Sequence, residues 1–460
     1  MPSNTTNLST GLKAFRINSD PKKYGTFAEI GAGQEVARHF FQAGHASATI
    51  AKSMSAYDMV FSDQIYGREE TGRYVCQPRL DKMLKYEYSL LNERLSKPRG
   101  KECEFFAFAN TVATNIGHGW IGVKFQAKPL AEPNTIKLHV KMHDKTRLQQ
   151  AEALGVLGVN LLYGACNLTE TPEDLIRSLS DNISEGRVEI DLIHFEGPAF
   201  SEVDNRLMCL ELVNEELTQN IVFDSNGEIS TLADEFFNAA VFVLRGEFRP
   251  ITNVNIELLN LGQKQFENDH KLDSSKPLLE ITMTHLKKEK GLVNKKDFLD
   301  RVDSLRHLNL PVMISNYTYY FELKESIREI TKAPIGSVIG GNQLDTFFNH
   351  ETYSHLKGGS LEGASRLFDT EVSIYIYPYK TKEVCQSLNT FFPSKELTSL
   401  VEHLKINGHL ADLSNCDEIE ESFLSSHVRD LLEKDDEKWK ELVPETVKEL
   451  IEKQKLFKSN

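Results

Sequence analysis

The chain has 460 residues, 40% of them hydrophobic and 26% charged, with a formal net charge of −14. Such a length usually needs more than one core, and an acidic chain without a basic patch is a poor partner for nucleic acid. It has neither a long apolar run nor an apolar N-terminal signal, so we expect a cytoplasmic protein without membrane partners.

The first half of the chain predicts a mixed sheet with flanking helices. Residues 1–23 are typical of a mobile polar leader. A helix is predicted from about Gly33 to Ala43, ending at Gly44, and an extended segment from Thr49 to Asp63. The remaining predictions here are helices over Arg79–Leu95, Leu148–Tyr163 and Val203–Glu216, and strands over Glu104–Val112, Trp120–Gln126, Thr135–His143, Arg187–Phe195 and Ala240–Arg245.

The second half predicts strands that alternate with helices. Asn, Gln, Asp and Ser accumulate over residues 250–275, which predicts a domain boundary there. Alternation at this spacing is typical of parallel strands with helical crossovers. The predicted helices are Leu278–Lys288, Lys295–His307, Phe321–Thr331, Gln343–Phe348 and Leu361–Phe368, and the predicted strands are Pro311–Ser315, Gly336–Gly341 and Glu371–Tyr377.

These elements predict an α/β protein. We expect an α+β N-terminal domain with a mixed sheet (24–250), a βαβ domain with parallel strands (251–394) and a charged helical tail (395–460). The apolar face of that tail would be poorly covered on a monomer, so we expect a homo-oligomer.

The six cysteines stand singly, without a C-x-x-C pair. This spacing favours free thiols in a reducing cytosol over a disulfide framework or a zinc knuckle. A metal site is not predicted either, because the two histidines of His350-Glu351-x-x-x-His355 are one residue too far apart for the H-E-x-x-H zinc motif.

The stretch from Tyr24 to Gly67 is the main candidate site, because polar and charged side chains surround a short Gly-Ala-Gly step. A ligand could approach the backbone closely at Gly31 and Gly33. Two readings are open: the floor of a site, or a buried ion-pair network that joins a sheet to its helix. For a site, the candidate acid or base groups are Asp58, Glu35 and His39.

The candidate anion-binding side chains are Arg38 and Lys52. Arginine suits a bidentate oxyanion contact, and lysine supplies a mobile point charge. In an extended segment, the even spacing would place Lys52 and Asp58 on one face.

Two glycine pairs precede predicted helices in the second half, Gly340–Gly341 and Gly358–Gly359. Free N–H groups at a helix N-terminus attract phosphate or carboxylate, although glycines before helices are also common as plain turns. The Gly31–Gly33 step lacks the third glycine of G-x-G-x-x-G, and G-x-S-x-G, the P-loop and H-x-G-H signatures are absent. Serine-hydrolase and P-loop chemistry are therefore not expected.

Several segments between Tyr24 and Pro378 resemble a bacterial protein family whose members are often labelled nicotinate- or nicotinamide-nucleotide adenylyltransferases. The segments that carry the resemblance include FAEIGAGQEVARHFF, SDQIYG, FFAFANTV, HGWIGVKFQ, RGEFRPIT and GGSLEGASRLF. The resemblance implies adenylyl transfer to a nicotinamide nucleotide, with ATP and Mg²⁺. The residues alone do not specify a cofactor.

We therefore expect an enzyme that acts on a small phosphorylated or nucleotide metabolite, by resemblance a nucleotidyltransferase. The alternative is a non-catalytic metabolite sensor or an assembly subunit that uses the charged tail to bind partners. Turnover distinguishes the two, because a sensor would bind its metabolite and leave it unchanged.

Overall fold

The computed structural model describes residues 8–114, 117–287, 293–416 and 425–457. The chain divides into two compact units, Met1–Gln219 (unit 1) and Asn220–Asn460 (unit 2). Both combine helices with a central sheet, so the predicted α/β fold class is confirmed. Within the described ranges, every helix is too short or too polar to cross a membrane.

Unit 1 is built on a six-stranded sheet in the order β2-β1-β3-β4-β5-β6. Strand β1 runs parallel to β2 and β3, and the later neighbours are antiparallel, so the sheet is mixed as predicted. Its strands are β1 (Lys23–Ile30), β2 (Ile50–Met54), β3 (Glu104–Ala113), β4 (His118–Gln126), β5 (Pro133–Met142) and β6 (Val188–Glu196). Its helices are α1 (Thr10–Asn18), α2 (Glu35–Ala43), α3 (Ala46–Thr49), α4 (Met59–Tyr66), α5 (Gln77–Arg99), α6 (Arg147–Asn167), α7 (Pro172–Ser178) and α8 (Asn205–Asn214).

Two expectations for the start of the chain are wrong. Residues within the predicted leader form helix α1, which is held by the buried Lys13: its ammonium group lies 2.6 Å from the carboxylate of Asp181 and donates to the Asn160 side chain over 2.8 Å. The predicted extended segment over 49–63 ends at Met54, because Asp58 caps a new helix, α4.

Unit 2 contains an eight-stranded sheet in the order β16-β13-β12-β9-β10-β11-β7-β8. The six strands from β16 to β11 are mutually parallel, and β7 pairs antiparallel with β11. The strands of this sheet are β7 (Asn220–Phe223), β8 (Ile229–Ser230), β9 (Val241–Arg245), β10 (Lys276–Thr282), β11 (Val312–Ser315), β12 (Ile335–Gly340), β13 (Val372–Tyr377) and β16 (Leu410–Asp412). A small hairpin adds β14 (Tyr379–Lys380) and β15 (Cys385–Gln386).

The helices of unit 2 lie on both faces of the sheet. On one face, Phe242 of β9 packs against Phe266 of α10, while Val241 and Val243 join a core with residues of α13, α15 and α16. The helices are α9 (Leu232–Phe236), α10 (Asn253–Asp269), α11 (Met283–Leu286), α12 (Lys295–Arg306), α13 (Tyr320–Arg328), α14 (Leu344–Phe347), α15 (Gly359–Leu367), α16 (Thr398–Ile406), α17 (Ser425–Glu433), α18 (Trp439–Leu442) and α19 (Glu445–Gln454).

The parallel strands follow the doubly wound order. Starting from β9, the next strands in the chain, β10 and β11, are added on one side of it. The chain then crosses to the other side of β9, where β12, β13 and β16 are added in turn. This is the 3-2-1-4-5-6 order of dinucleotide-binding α/β folds, and it has a switch point between its first and fourth strands, here β9 and β12.

Two sequence expectations for this region are wrong. The division between the units follows Gln219 instead of falling near 250–275, where the polar residues form the exposed face of α10. The predicted helix over 278–288 begins instead as the buried strand β10, since a short apolar run does not distinguish a central strand from a buried helix.

The charged tail packs within unit 2. Val428, Trp439, Val447 and Ile451 are buried, and the backbone N–H of Phe457 donates to Asp300 of α12 over 2.9 Å. The apolar face of the tail is therefore covered by its own unit. Self-association stays a prediction, but the uncovered face from which we inferred it is not present in the described part of the tail.

Cys385 and Cys416 form a disulfide, with their Cα atoms 6.1 Å apart. The expectation that all cysteines are free thiols is wrong for this pair. The 31-residue separation gives no local signal in the sequence. Cys385 lies on the hairpin that follows β13, and Cys416 follows β16. The two cysteines meet because β13 and β16 are neighbours in the sheet.

Candidate functional site

The Gly31–Gly33 step forms the turn from β1 into α2. Gly31 has φ +101°, and a Cβ atom there would lie 1.9 Å from the carbonyl oxygen of Val112 on the neighbouring strand. Gly33 has φ +76° and donates its N–H to the hydroxyl of Tyr57 over 2.7 Å. The glycines are therefore needed for a tight turn against β3, and this requirement holds with or without a ligand.

The N-terminus of α2 is occupied by a carboxylate of the protein itself. Glu29, on β1, is 1% exposed and accepts the backbone N–H groups of Val36 and Ala37 over 3.2 and 2.9 Å. The Asn110 amide also donates to it over 3.3 Å. Burial nevertheless raises the pKa of Glu29 to about 7. Glu29 thus takes the place that an external anion would take at this helix end.

The candidate residues of α2 differ in exposure: Arg38 is exposed, whereas Glu35 and His39 are half-buried. Arg38 is exposed and lies 2.9 Å from Glu35 one turn earlier, which is an ordinary surface ion pair. His39 is half-buried, and burial lowers its pKa below the ordinary value, which keeps its imidazole neutral at physiological pH.

Lys52 and Asp58 have separate partners in the structure. The ammonium group of Lys52 lies 2.6 Å from the fully buried carboxylate of Glu87. Asp58 is the N-cap of α4 and accepts the N–H of Phe61 over 2.6 Å. Because β2 ends at Met54, the two side chains do not share a strand face, and the spacing argument that paired them is wrong. Their roles in binding or catalysis stay predictions.

The two glycine pairs of unit 2 have different surroundings. Gly358 donates its N–H to the carboxylate of Glu362 over 2.8 Å. This N–H group at the start of α15 therefore already has an acceptor within the protein. Gly341 is required by close packing, since a Cβ atom there would lie 1.9 Å from the carbonyl oxygen of Gln386. Of the four glycines, Gly340 and Gly341 immediately precede residues that line a cavity, whereas Gly359, with φ +55°, belongs to the α15 turn.

That cavity has a volume of about 580 Å³ and lies at the carboxyl ends of the parallel strands of unit 2. Arg245 ends β9, Ile339 lies near the end of β12, and His285 follows β10. The cavity is therefore at the β9/β12 switch point, where open α/β sheets bind their ligands. Its other lining residues are Gly246, Glu247, Thr318, Tyr319, Tyr320, Asn342, Gln343, Thr346, Phe347, Thr352 and Tyr353.

Arg245, which lines the cavity, belongs to a buried ion pair. The guanidinium of Arg245 donates to both carboxylate oxygens of Glu280 over 2.7 and 3.1 Å and to the carbonyl of Thr318 over 3.1 Å. Glu280 is fully buried and also accepts the Ser315 hydroxyl over 2.6 Å. Burial works against the charge of Arg245, but Glu280 outweighs it, and the pKa of Arg245 lies above its ordinary value.

Aromatic side chains form much of the remaining wall. The Arg245 guanidinium lies over the ring of Tyr320 at 4.4 Å, and the Tyr320 and Phe347 rings are 5.6 Å apart. The ring centres of Tyr319 and Tyr353 are 6.0 Å apart. Burial raises the pKa of both Tyr320 and Tyr353 to about 12, so these phenols are uncharged at physiological pH.

His285 brings an imidazole to the same cavity. Its Nδ1 atom is buried and has no hydrogen-bond partner among the described residues. Burial lowers the pKa of the ring, so it is neutral near pH 7 and can donate or accept one hydrogen bond.

Unit 1 has a larger groove, of about 780 Å³, between α5 and strands β4 and β5. It lies along the sheet, away from the carboxyl ends of the parallel strands. Lys137 in its wall lies 3.1 Å from Asp81, and Lys124 lies 5.9 Å from the centre of the Tyr88 ring. In the described ranges, no three His, Cys, Asp or Glu residues are grouped closely enough to hold a metal ion.

The sequence predictions missed the main residues of the unit 2 cavity. Arg245 begins the RGEFRPIT segment, and Tyr319 and Tyr320 follow a predicted strand, so a usable signal was the polar and aromatic residues at strand ends. The glycine pattern led instead to turns whose neighbouring N–H groups already donate to side chains of the protein itself.

No protein-family model and no curated protein matches the chain. Among solved structures, it is similar to a competence-damaged protein (CinA) superfamily protein from Klebsiella pneumoniae, at 12% identity and a TM-score of 0.27 over 34% of this chain and 96% of that one. It is also similar to the competence/damage inducible protein CihA from Agrobacterium tumefaciens, at 16% identity and a TM-score of 0.24 over 33% of this chain and 93% of that one. Likeness at this level does not assign a function.

Proposed function

We propose that the protein binds a small nucleotide-type metabolite in the unit 2 cavity and converts it. The position of the cavity supports this most directly: it lies at the switch point of a sheet with the 3-2-1-4-5-6 order. A volume of about 580 Å³ falls within the range of small-molecule sites. A cytoplasmic location belongs to the same proposal.

The resemblance to adenylyltransferases makes the proposal more specific. In that reaction a phosphate oxygen of the nicotinamide nucleotide attacks the α-phosphorus of ATP, a dinucleotide forms, and pyrophosphate leaves. Among the described lining residues Glu247 is the one carboxylate, and both oxygens of the neighbouring Glu280 are committed to Arg245, so the lining does not supply a set of Mg²⁺ ligands. We therefore assign no protein ligand to the metal.

Isothermal titration of the full chain tests binding, and chromatography of the same mixtures tests conversion. The panel contains nicotinamide and nicotinate mononucleotides, ATP, other nucleoside phosphates and sugar phosphates. Thr346 is an exposed residue of the cavity wall, so Thr346→Phe should obstruct the cavity and weaken binding by about tenfold or more. Thr398→Phe, at an exposed helical position that does not line the cavity, is the matched control. No binding of any member, or equal binding by both variants, would contradict the proposal.

A second function, binding without conversion, is favoured by the Arg245–Glu280 pair. The cation and the carboxylate hold each other instead of facing the cavity as free reactive groups. A metabolite sensor would show saturable binding, no product and no pyrophosphate. Binding at the cavity with release of pyrophosphate would decide for the transferase.

A further inference from the structure

We propose that the unit 2 cavity recognises the planar nitrogen heterocycle of its ligand and leaves any phosphate at the rim. This rests on the proposed function, and it names the part of the ligand that provides the affinity. The expected ligands are nucleosides and their derivatives with a base or a pyridine ring.

The aromatic wall supports recognition of a ring. Tyr319, Tyr320, Phe347 and Tyr353 line the cavity together, so aromatic surface is concentrated at one place. The Tyr319 ring is itself stacked on Phe321 and His355, and the Tyr353 hydroxyl donates to the Phe347 carbonyl, so the wall offers a ligand ring surface of Tyr320, Phe347 and Tyr353 more than free phenols. Bases stack favourably on aromatic side chains in nucleic-acid complexes, and every base offers a π face. A phosphate group gains nothing comparable from these rings.

The Arg245–Glu280 pair argues against Arg245 as a phosphate ligand. To turn toward a phosphate, the guanidinium would have to give up two hydrogen bonds to a carboxylate that is fully buried. Stranding a buried charge in this way costs more than an ordinary charged hydrogen bond to a phosphate returns. Arg245 therefore supports the wall by packing over Tyr320.

The backbone N–H of Gly340, at the turn beside the cavity, also has a hydrogen-bond partner within the protein. Gly340 donates its N–H to the side chain of Gln343 over 3.3 Å. The neighbouring Asn342, Gln343 and Thr346 are exposed at the cavity and carry neutral donors and acceptors. Amide and hydroxyl groups of this kind match the edge of a heterocycle.

Matched titrations of the full chain test this inference. The probes are adenosine, guanosine, cytidine, uridine and nicotinamide riboside, each with its 5′-monophosphate, and ribose 5-phosphate. We expect at least one nucleoside to bind within about threefold of its monophosphate, and ribose 5-phosphate to bind at least about a hundredfold more weakly. The affinity should change little between low and high salt, because ring stacking and neutral hydrogen bonds are not screened.

Other outcomes separate this inference from the proposed function. If monophosphates bind more than about thirtyfold more tightly than every nucleoside, the cavity recognises phosphate, and the inference is wrong while the proposed function stands. If neither nucleosides nor nucleotides bind, both fail.

Two variants locate the binding surface. Tyr353→Leu removes a ring from the wall and should weaken nucleoside binding by about tenfold, whereas Tyr86→Leu, at an exposed tyrosine of unit 1, should not. If Tyr353→Leu does not fold, Gln343→Ala at the exposed rim gives the same test with a smaller expected loss, about threefold. Unchanged nucleoside affinity in a folded Tyr353→Leu protein, or in Gln343→Ala where Tyr353→Leu fails to fold, would overturn the inference.

Discussion

The buried Glu29 makes the stability of unit 1 depend on pH in a defined direction. The carboxyl group ionises at its ordinary pKa of 4.5 in the unfolded chain, whereas burial raises the pKa in the folded protein to about 7. Between these two values the unfolded state binds fewer protons than the folded state. The contribution of Glu29 to the stability of the folded state is therefore fully present below about pH 4.5 and is lost as the pH rises through 7.

The size of this effect follows from the two pKa values. A rise from 4.5 to about 7 corresponds to about 3–4 kcal/mol in full, at about 1.4 kcal/mol for each pKa unit. Glu29→Gln keeps the shape and removes the titration. The free energy of unfolding of the natural protein, minus that of Glu29→Gln, should fall by about 3 kcal/mol between pH 4.5 and pH 8.

Urea unfolding at a series of pH values, followed by a signal from unit 1, measures this difference. Glu93→Gln, at an exposed position of α5, is the matched control and should unfold in parallel with the natural protein. Parallel curves for Glu29→Gln and the natural protein would refute the reasoning. They would mean that the N–H groups of Val36 and Ala37 stabilise the carboxylate as strongly as burial destabilises it.

Three further predictions concern residues whose surroundings are defined by the structure. Gly341→Ala should destabilise unit 2 by more than about 2 kcal/mol in urea unfolding, because its Cβ would collide with backbone, whereas Gly11→Ala, where a Cβ meets nothing within 4 Å, should be neutral or slightly stabilising. Replacing Cys385 and Cys416 by serine should cost about 3–4 kcal/mol through loss of a cross-link over 31 residues, and an unchanged melting temperature would contradict the pairing. Asp58→Ala should cost about 1 kcal/mol of stability as a lost helix cap, while Asp58→Asn retains the cap and should unfold like the natural protein; a loss of ligand conversion in stable Asp58→Asn would contradict the placement of the site in unit 2.

Much of the local structure could be predicted from the amino-acid sequence. Apolar periodicity predicts α2, α5, α6 and α12 and the central strands because it reports which face of a segment is buried. It also predicts the alternation of strands and helices in the second half. The prediction failed for the run Lys276–Thr282, where the local pattern fits a helix and a strand equally well. This run is β10, and it is a central strand because β9 and β11 pair with it on either side.

The positions of the candidate sites depend on how the strands and helices pack, which the sequence pattern does not show. Gly31 suggested close approach of a ligand and Gly358 suggested anion binding, but carboxylates of Glu29 and Glu362 accept the N–H groups at the adjacent helix ends. The cavity of unit 2 depends instead on pairing between β9 and β12, strands that are far apart in the sequence and adjacent in the sheet. Helical and strand periodicity is a property of a few consecutive residues, whereas strand order results from the packing of the whole unit.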